Sequence, residues 1–180
     1  MKILTLLRHA KSTWDDPVAR DFDRPLNPRG RRAARAVGKE MKALGLGFDR
    51  IVASPARRVI ETLDEVASTY GSLTPEYEQR VYLATTDSLL DIVHETGDGV
   101  ARLLLVGHNP GMENLALLLT RGGDGGLRGE VEVKYPTATL AEIELNVESW
   151  QQVRESTGTL TRFIRPRDLA ADLGPDEDTD

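Results

Sequence analysis

Short, mostly apolar runs alternating with helix-period segments predict an α/β protein, a three-layer α/β/α sandwich with a mostly parallel central sheet. Two observations carry this expectation. The runs at 3–7 and 103–106 are apolar almost throughout, which suits strands covered on both faces, where a strand with one wet face would alternate. The segments between them repeat apolar residues at three- and four-residue steps, the stripe of an amphipathic helix. At 180 residues the chain reads as one domain with a single sizeable core.

The first run ends abruptly in Arg8-His9. It reads as a buried strand that delivers both side chains to its tip, and ligand sites in open α/β sheets lie outside the carboxyl ends of the strands. Residues 10–27 are polar, contain Pro17 and Pro25, and read as a long loop, functional or disordered. Asn27-Pro28 supplies a cap and a first-turn proline; Ala34, Val37, Met41 and Leu44 mark the helix stripe, and Gly45 and Gly47 its end. Arg29, Arg31, Arg32 and Arg35 read as a solvated helix face rather than a nucleic-acid patch.

Phe48–Ala53 is expected as a second strand, stopped by Ser54-Pro55, before a helix over 56–70 with Val59, Leu63 and Val66 inward. Residues 78–83 are expected to be extended. Thr86 should cap a helix carrying Leu89, Ile92 and Val93 and stopped by Gly97. The run at 103–106 enters Gly107-His108-Asn109-Pro110, and a helix with Leu115, Leu118 and Leu119 follows to about Arg121. Gly122–Gly126 reads as a flexible linker or lid. Val131–Tyr135, Ala138–Leu145 and Leu160–Ile164 read as strands, the last of them antiparallel at one edge. Trp150 reads as a packing residue and His94 as a surface or packing histidine. The domain is expected to span 1–169, with 170–180 a disordered acidic tail that has almost nothing to bury.

Composition narrows the function. Hydrophobic residues make up 39% and charged residues 29%, ordinary for a soluble globular protein. The absence of cysteine excludes disulfides, thiolate metal sites and a cysteine nucleophile. The net charge is −6, yet Asp172, Asp176, Glu177, Asp178 and Asp180 contribute five of those charges, so the body is close to neutral and nucleic acid is not favoured as a partner. The start does not read as a signal peptide, and no apolar run approaches the roughly 18 residues of a membrane span. A cytoplasmic protein without a membrane partner is expected.

Three buried runs end alike: in Arg8-His9, in Ser54-Pro55-Ala56-Arg57-Arg58 and in Gly107-His108. If the strands are parallel, two histidines and two or three arginines converge on one pocket with no obvious acidic partner, beside helix N-termini. Such a site wants a compact anion with several acceptor oxygens, and phosphate fits best.

Leu7-Arg8-His9-Ala10, Ser54-Pro55-Ala56-Arg57-Arg58-Val59-Ile60-Glu61-Thr62 and Val106-Gly107-His108-Asn109 resemble the three signatures of the histidine phosphatase superfamily, the phosphoglycerate mutase-like proteins. Arg8-His9-Ala10-Lys11-Ser12, Arg24-Pro25-Leu26-Asn27, Tyr82-Leu83-Ala84 and Gly107-His108-Asn109-Pro110 resemble the SixA-type phosphohistidine phosphatases within it. The resemblance implies His9 as the nucleophile, phosphorylated in turnover, with Arg8, Arg58 and His108 on the phosphoryl oxygens. Arg58 matches the family's position; Arg57 is expected to point elsewhere.

An imidazole with a reference pKa near 6.5 is partly unprotonated at neutral pH, and Arg8 and Arg58 should lower that value further. The other ring nitrogen needs a fixed acceptor, which the sequence does not identify. The arginines and a protonated His108 would stabilise charge on the transferring group, and neither metal nor cofactor is expected. Arg24 is expected to contact substrate, and Asp21 either approaches the pocket or forms a surface ion pair.

No convincing general acid is visible; Glu76, Glu78 and Asp87 are candidates only by default. That lack leans towards phosphohistidine in proteins as substrate, because histidine leaves far more easily than an alkoxide. The alternatives are a phosphomonoesterase on small phosphorylated metabolites, and a non-catalytic phosphate- or phosphoprotein-binding module.

Overall fold

The computed structural model describes residues 1–15, 20–122 and 126–174 of the chain. In chain order the elements are β1 (Lys2–Arg8), α1 (Pro28–Ala43), β2 (Arg50–Ala53), α2 (Arg57–Tyr70), β3 (Glu76–Tyr77), α3 (Thr86–His94), β4 (Arg102–Gly107), α4 (Gly111–Leu119), α5 (Gly126–Val133), β5 (Leu140–Leu145), β6 (Gly158–Ile164) and the single turn α6 (Pro166–Leu169). The six strands form one sheet in the order β3-β2-β4-β1-β5-β6. β3, β2, β4 and β1 run parallel, and β5 and β6 add antiparallel at one edge.

Alternation along the central strands splits the core in two. Leu4, Leu6, Leu103 and Leu105 pack with Leu89, Ile92 and Val93 of α3 and with Met112, Leu115 and Leu119 of α4. Leu7, Leu104 and Val106 pack on the other face with Val37 and Met41 of α1 and Val59, Leu63 and Val66 of α2. The sheet is thus buried on both sides, which is why its central strands read as nearly continuous apolar runs.

The local signals work as physics requires at most element ends. The Asn27 side chain accepts from the Gly30 amide at 2.7 Å, with Pro28 in the first turn of α1. Gly45 then adopts φ +66°, the left-handed conformation that commonly ends a helix. The arginines of α1 are not merely solvated: Arg31 pairs with Glu61 and Glu65, and Arg35 with Glu65, tying α1 to α2.

Several expectations are corrected. Residues 131–135 are not a strand: Gly126–Val133 is helical, because Leu127 and the buried Val131 share one face while Val133 points to solvent. Residues 78–83 are not extended; Gln79–Val81 form a 3₁₀ turn in which the Glu78 side chain accepts from the Arg80 amide. The cap of α3 is Thr85, accepting from Ser88, not Thr86.

The loop at 10–27 is partly structured, with Ser12 bridging Leu26 and a 3₁₀ turn at Asp21–Asp23; Pro17 lies outside the described residues. Residues 170–174 of the expected disordered tail are structured, because α6 and a 3₁₀ turn at Ala171–Leu173 bury Leu173 against the α1–α2 side of the core. The rest of the expected tail, 175–180, and most of the Gly122–Gly126 linker lie outside the described residues. Trp150 is fully buried, with its indole N–H donating to the Val100 carbonyl, and His94 meets the Val153 carbonyl through Nε2.

Gly30 fixes how close α1 comes to the end of β1. A Cβ there would sit 2.1 Å from the Lys11 carbonyl oxygen, two residues beyond His9. An ordinary helical Gly→Ala change gains about 1 kcal/mol. Gly30→Ala is predicted instead to lose about 1–3 kcal/mol, the usual cost of forcing atoms into a packed site. Urea unfolding measures the difference; equal or higher stability would show that the close approach is not needed.

Candidate active site

β1, β2 and β4 deliver their carboxyl ends to one side of the sheet, and each ends at a residue of the site. Arg8 closes β1 and His9 follows it; His9 is held through its own backbone, the amide donating to the Gly107 carbonyl and the carbonyl accepting from Ala138. Ser54 follows β2, and Arg58 lies in the first turn of α2. His108 follows β4. The His9 and His108 rings lie 5.2 Å apart by centroid, and Arg8, His9, Arg58 and His108 are all buried.

His9 has a defined tautomer. Its Nδ1 lies 2.7 Å from the Ala10 carbonyl oxygen. A carbonyl only accepts, so Nδ1 carries the proton and Nε2 keeps its lone pair. Burial, reinforced by His108 and Arg8, holds the ring's pKa well below its ordinary value, so the ring is neutral. Ala10 is itself fixed: its amide donates to Thr62 Oγ1 at 2.9 Å, and the Thr62 hydroxyl donates back to the Arg58 carbonyl. Arg58, Thr62 and Val66 share the inward face of α2, which explains the four-residue step between the arginine and the threonine.

His108 differs from the expectation. Burial and the nearby Arg58 bring its pKa down to about 3, so it is neutral rather than protonated. Its Nε2 lies 2.8 Å from Ser54 Oγ, which already accepts from the Ala56 amide and still has a proton to give. The Ser54 hydroxyl can give a proton to Nε2 or take one from it, so this bond pairs Nε2 in either neutral tautomer. Nδ1 is buried and has no hydrogen-bond partner among the described residues, which leaves it facing whatever the pocket binds.

The expected all-cationic pocket does have an acidic neighbour. Arg58 donates through Nη1 to the Asp21 carbonyl at 2.7 Å and through Nη2 to its carboxylate at 3.1 Å. Asp21 also accepts from Tyr82 at 2.6 Å and from Arg24 at 3.2 Å. Burial alone would raise this carboxyl, but the Tyr82 hydroxyl and Arg58 outweigh it and hold the pKa at about 2. Of its two open alternatives, Asp21 thus takes the position at the pocket, ion-paired there. Arg24 is buried, donates to Ser12, and stacks its guanidinium 3.5 Å over the exposed ring of Trp14. Arg8 donates to the Tyr135 carbonyl, which Asn109 also reaches through Nδ2.

A model of the histidine phosphatase superfamily, branch 1, matches residues 4–82, the part of the chain that holds Arg8, His9 and Arg58. An uncharacterized protein of Mycobacterium tuberculosis is 34% identical over 163 residues, covering 89% of this chain and 100% of its own. Two solved structures described as SixA phosphohistidine phosphatases are also similar. That from Nakamurella multipartitia has a TM-score of 0.79 at 26% identity, covering 92% of this chain and 96% of its own. That from Agrobacterium tumefaciens has a TM-score of 0.76 at 28% identity, covering 92% and 98%. The chain belongs to the histidine phosphatase superfamily. With phosphatases as its structural neighbours, it is a phosphatase that acts on phosphorylated substrates.

Within this histidine phosphatase the candidate acids are not drawn into the pocket. Glu76 pairs with Arg50, Glu78 pairs with Arg80, and Asp87 is exposed in the first turn of α3. Arg57 does point elsewhere, to Glu61. Among the described residues no group of three or more His, Asp or Glu is placed to hold a metal ion, and no helix is long and apolar enough to cross a membrane.

Tyr82, Ser54 and Thr62 stood in the matched motifs without an assigned role. Their work is to fix Asp21, His108 and Ala10, and no periodicity reveals side-chain bonds between residues so far apart in the chain.

The two buried neutral histidines set a pH dependence. Their folded pKa values lie below the unfolded value near 6.5, so the unfolded chain takes up protons first and stability falls as pH drops below about 6.5. Each such histidine contributes a slope of up to about 1.4 kcal/mol per pH unit. Asp21, held at about 2, titrates below this window. Denaturant unfolding at pH 6.5, 5.5 and 4.5 without phosphate should show the slope, and His108→Gln should lower it by about one proton's worth. An unchanged slope in that variant would mean that His108 is charged in the folded protein.

Proposed function

We propose that the protein hydrolyses phosphohistidine in proteins through a phosphohistidine intermediate on its own His9, without a metal ion. The observation that carries the reading is the His9 Nε2 lone pair, set among the cations of Arg8 and Arg58 and the neutral ring of His108, with no protonated carboxyl beside it. The phosphoryl group of the substrate would pass in line to Nε2, the new P–N bond forming as the old one breaks. Charge on the three equatorial oxygens is met by guanidinium groups already in place, the positive charge a metal supplies in other phosphoryl-transfer enzymes. Water then attacks phosphorus, the bond to Nε2 breaks, and inorganic phosphate and neutral His9 are restored.

The leaving group decides between substrates. An alkoxide is the conjugate base of a group almost as weakly acidic as water, whose pKa is about 15.7, and it needs a proton as it departs. Asp21 has none to give. A phosphohistidine whose far ring nitrogen is protonated leaves as neutral imidazole, whose conjugate acid has a pKa near 6.5. The likeness to the two structures described as phosphohistidine phosphatases supports the same choice.

Acid-quench labelling with a ³²P-phosphohistidine protein should place the label on His9, and His9→Ala should lose both label and turnover, the latter by roughly 10³-fold or more. A simple alkyl phosphate should turn over about 10²–10⁴-fold more slowly, the ordinary worth of a general acid. Faster turnover of the alkyl ester would turn the reading towards small phosphorylated metabolites. Retained phosphate binding without turnover in the native protein would make it a binding module.

A further inference from the structure

The acidic neighbour of the cradle sits on the arginine that a phosphoryl group needs. Both terminal nitrogens of Arg58 donate to Asp21, Nη1 to its carbonyl at 2.7 Å and Nη2 to its carboxylate at 3.1 Å. Arg58 keeps Nε, which is buried and has no hydrogen-bond partner among the described residues. An oxyanion that takes Nε therefore meets a guanidinium whose charge is already shared with a carboxylate. Asp21 also acts on His108, against the lowering of that ring's pKa.

This carboxylate is not one that can swing aside. Its Oδ2 also accepts from Tyr82 at 2.6 Å, and its Oδ1 from Arg24 at 3.2 Å. The Tyr82 ring meets Phe22, the residue after Asp21, and His108 edge-on, with centroids 5.0 and 5.5 Å away. Phe22 and Tyr82 both pack against the α1–α2 side of the core. With its pKa held at about 2, the carboxyl stays ionised throughout the working range. A permanent negative charge is thus fixed beside a cationic pocket. Its side chain is 39% exposed, so solvent screens it only in part.

A charge in that position discriminates between ligands by their own charge. Coulomb repulsion weakens the hold on any phosphate, and each further negative charge on the ligand adds to the penalty. Inorganic phosphate and alkyl phosphates bring no compensating cation. A phosphohistidine whose far ring nitrogen is protonated brings one, and the repulsion is partly offset.

We propose that Asp21 is a specificity-determining residue. Fixed on Arg58, its charge keeps the cradle from trapping the phosphate product and favours a phosphoryl group carried on a cationic imidazole. The first half needs only a cradle that binds phosphate; the second rests on the phosphohistidine reading.

The test is Asp21→Asn, which removes the charge, nearly keeps the shape and leaves an oxygen to accept from Arg58. Inorganic phosphate is the probe, titrated into the full chain by calorimetry at neutral pH, with the unfolding midpoint read in parallel. Asp21→Asn should bind it about 10-fold more tightly than the native chain, the size expected of unit charges several ångströms apart at a half-exposed site. Asp23→Asn, which removes the same charge two residues on, where it pairs with Arg20, should change nothing. A carboxylate that only props Arg58 would give the opposite sign, since its loss would loosen the arginine and weaken binding. Unchanged or weaker binding by a folded Asp21→Asn chain, equal tightening by Asp23→Asn, or no phosphate binding to any of the chains would overturn the assignment. In turnover, Asp21→Asn should lower several-fold the ratio of kcat/KM for a phosphohistidine protein to that for an alkyl phosphate. An unchanged ratio would overturn the preference for a cationic leaving group. A native chain that binds phosphate yet leaves the phosphohistidine protein intact would sink the phosphohistidine reading, while the titration would still decide what Asp21 does to phosphate.

Discussion

Everything the site can do depends on one hydrogen bond, from His9 Nδ1 to the carbonyl of the next residue. An imidazole free to choose its tautomer would present an N–H towards substrate for part of the time, and an N–H is no nucleophile. The bond to Ala10 removes that choice, and burial among cations removes the imidazolium. The constraint is then propagated outward. Ala10 is held by Thr62, Thr62 by α2, and α2 by its packing in the core beside α1 and by ion pairs to α1. The backbone of His9 itself bonds to Gly107 at the end of β4 and to Ala138 just before β5. A loop would not hold a ring in such a geometry; the centre of a doubly covered sheet does.

The second constraint is electrostatic. Arg8 and Arg58 are buried side by side with two histidines, and such a concentration of like charge would be costly if all four groups were ionised. The protein avoids this in two ways. Both rings are neutral, and Asp21 sits against Arg58 with its charge kept by Tyr82 and the two neighbouring arginines. Asp21 is therefore a fixed counter-charge and not a proton donor. The same bonds that make it a good partner for arginine make it a poor acid.

Much of this was legible in the chain, for a definite reason. Residues that end three buried strands must share one side of a parallel sheet, so the approach of Arg8, His9, Arg58 and His108 follows from apolar runs and the residues that terminate them. The step from Arg58 to Thr62 also reads directly as one helix face. What the pattern does not encode is pairing across space. Nothing in residues 10–27 announces that Asp21 folds back onto Arg58, and nothing around Ser54 announces its bond to His108. Nor does a local pattern separate Val131 and Val133 as strand from Leu127 and Val131 as helix; only the core that Val131 enters resolves it. The charge of His108 departs from the expectation because burial, the largest influence on it, is a property of the fold and not of its neighbours in sequence.

The most direct test of the account is the protonation state of the two site histidines, read by long-range ¹H–¹⁵N NMR of the imidazole nitrogens in phosphate-free buffer near pH 6. Both rings should appear neutral, His9 with its proton on Nδ1, and should stay so as the pH is lowered towards 5. A ring of His9 that is charged there, or that carries its proton on Nε2, would contradict the account at its foundation.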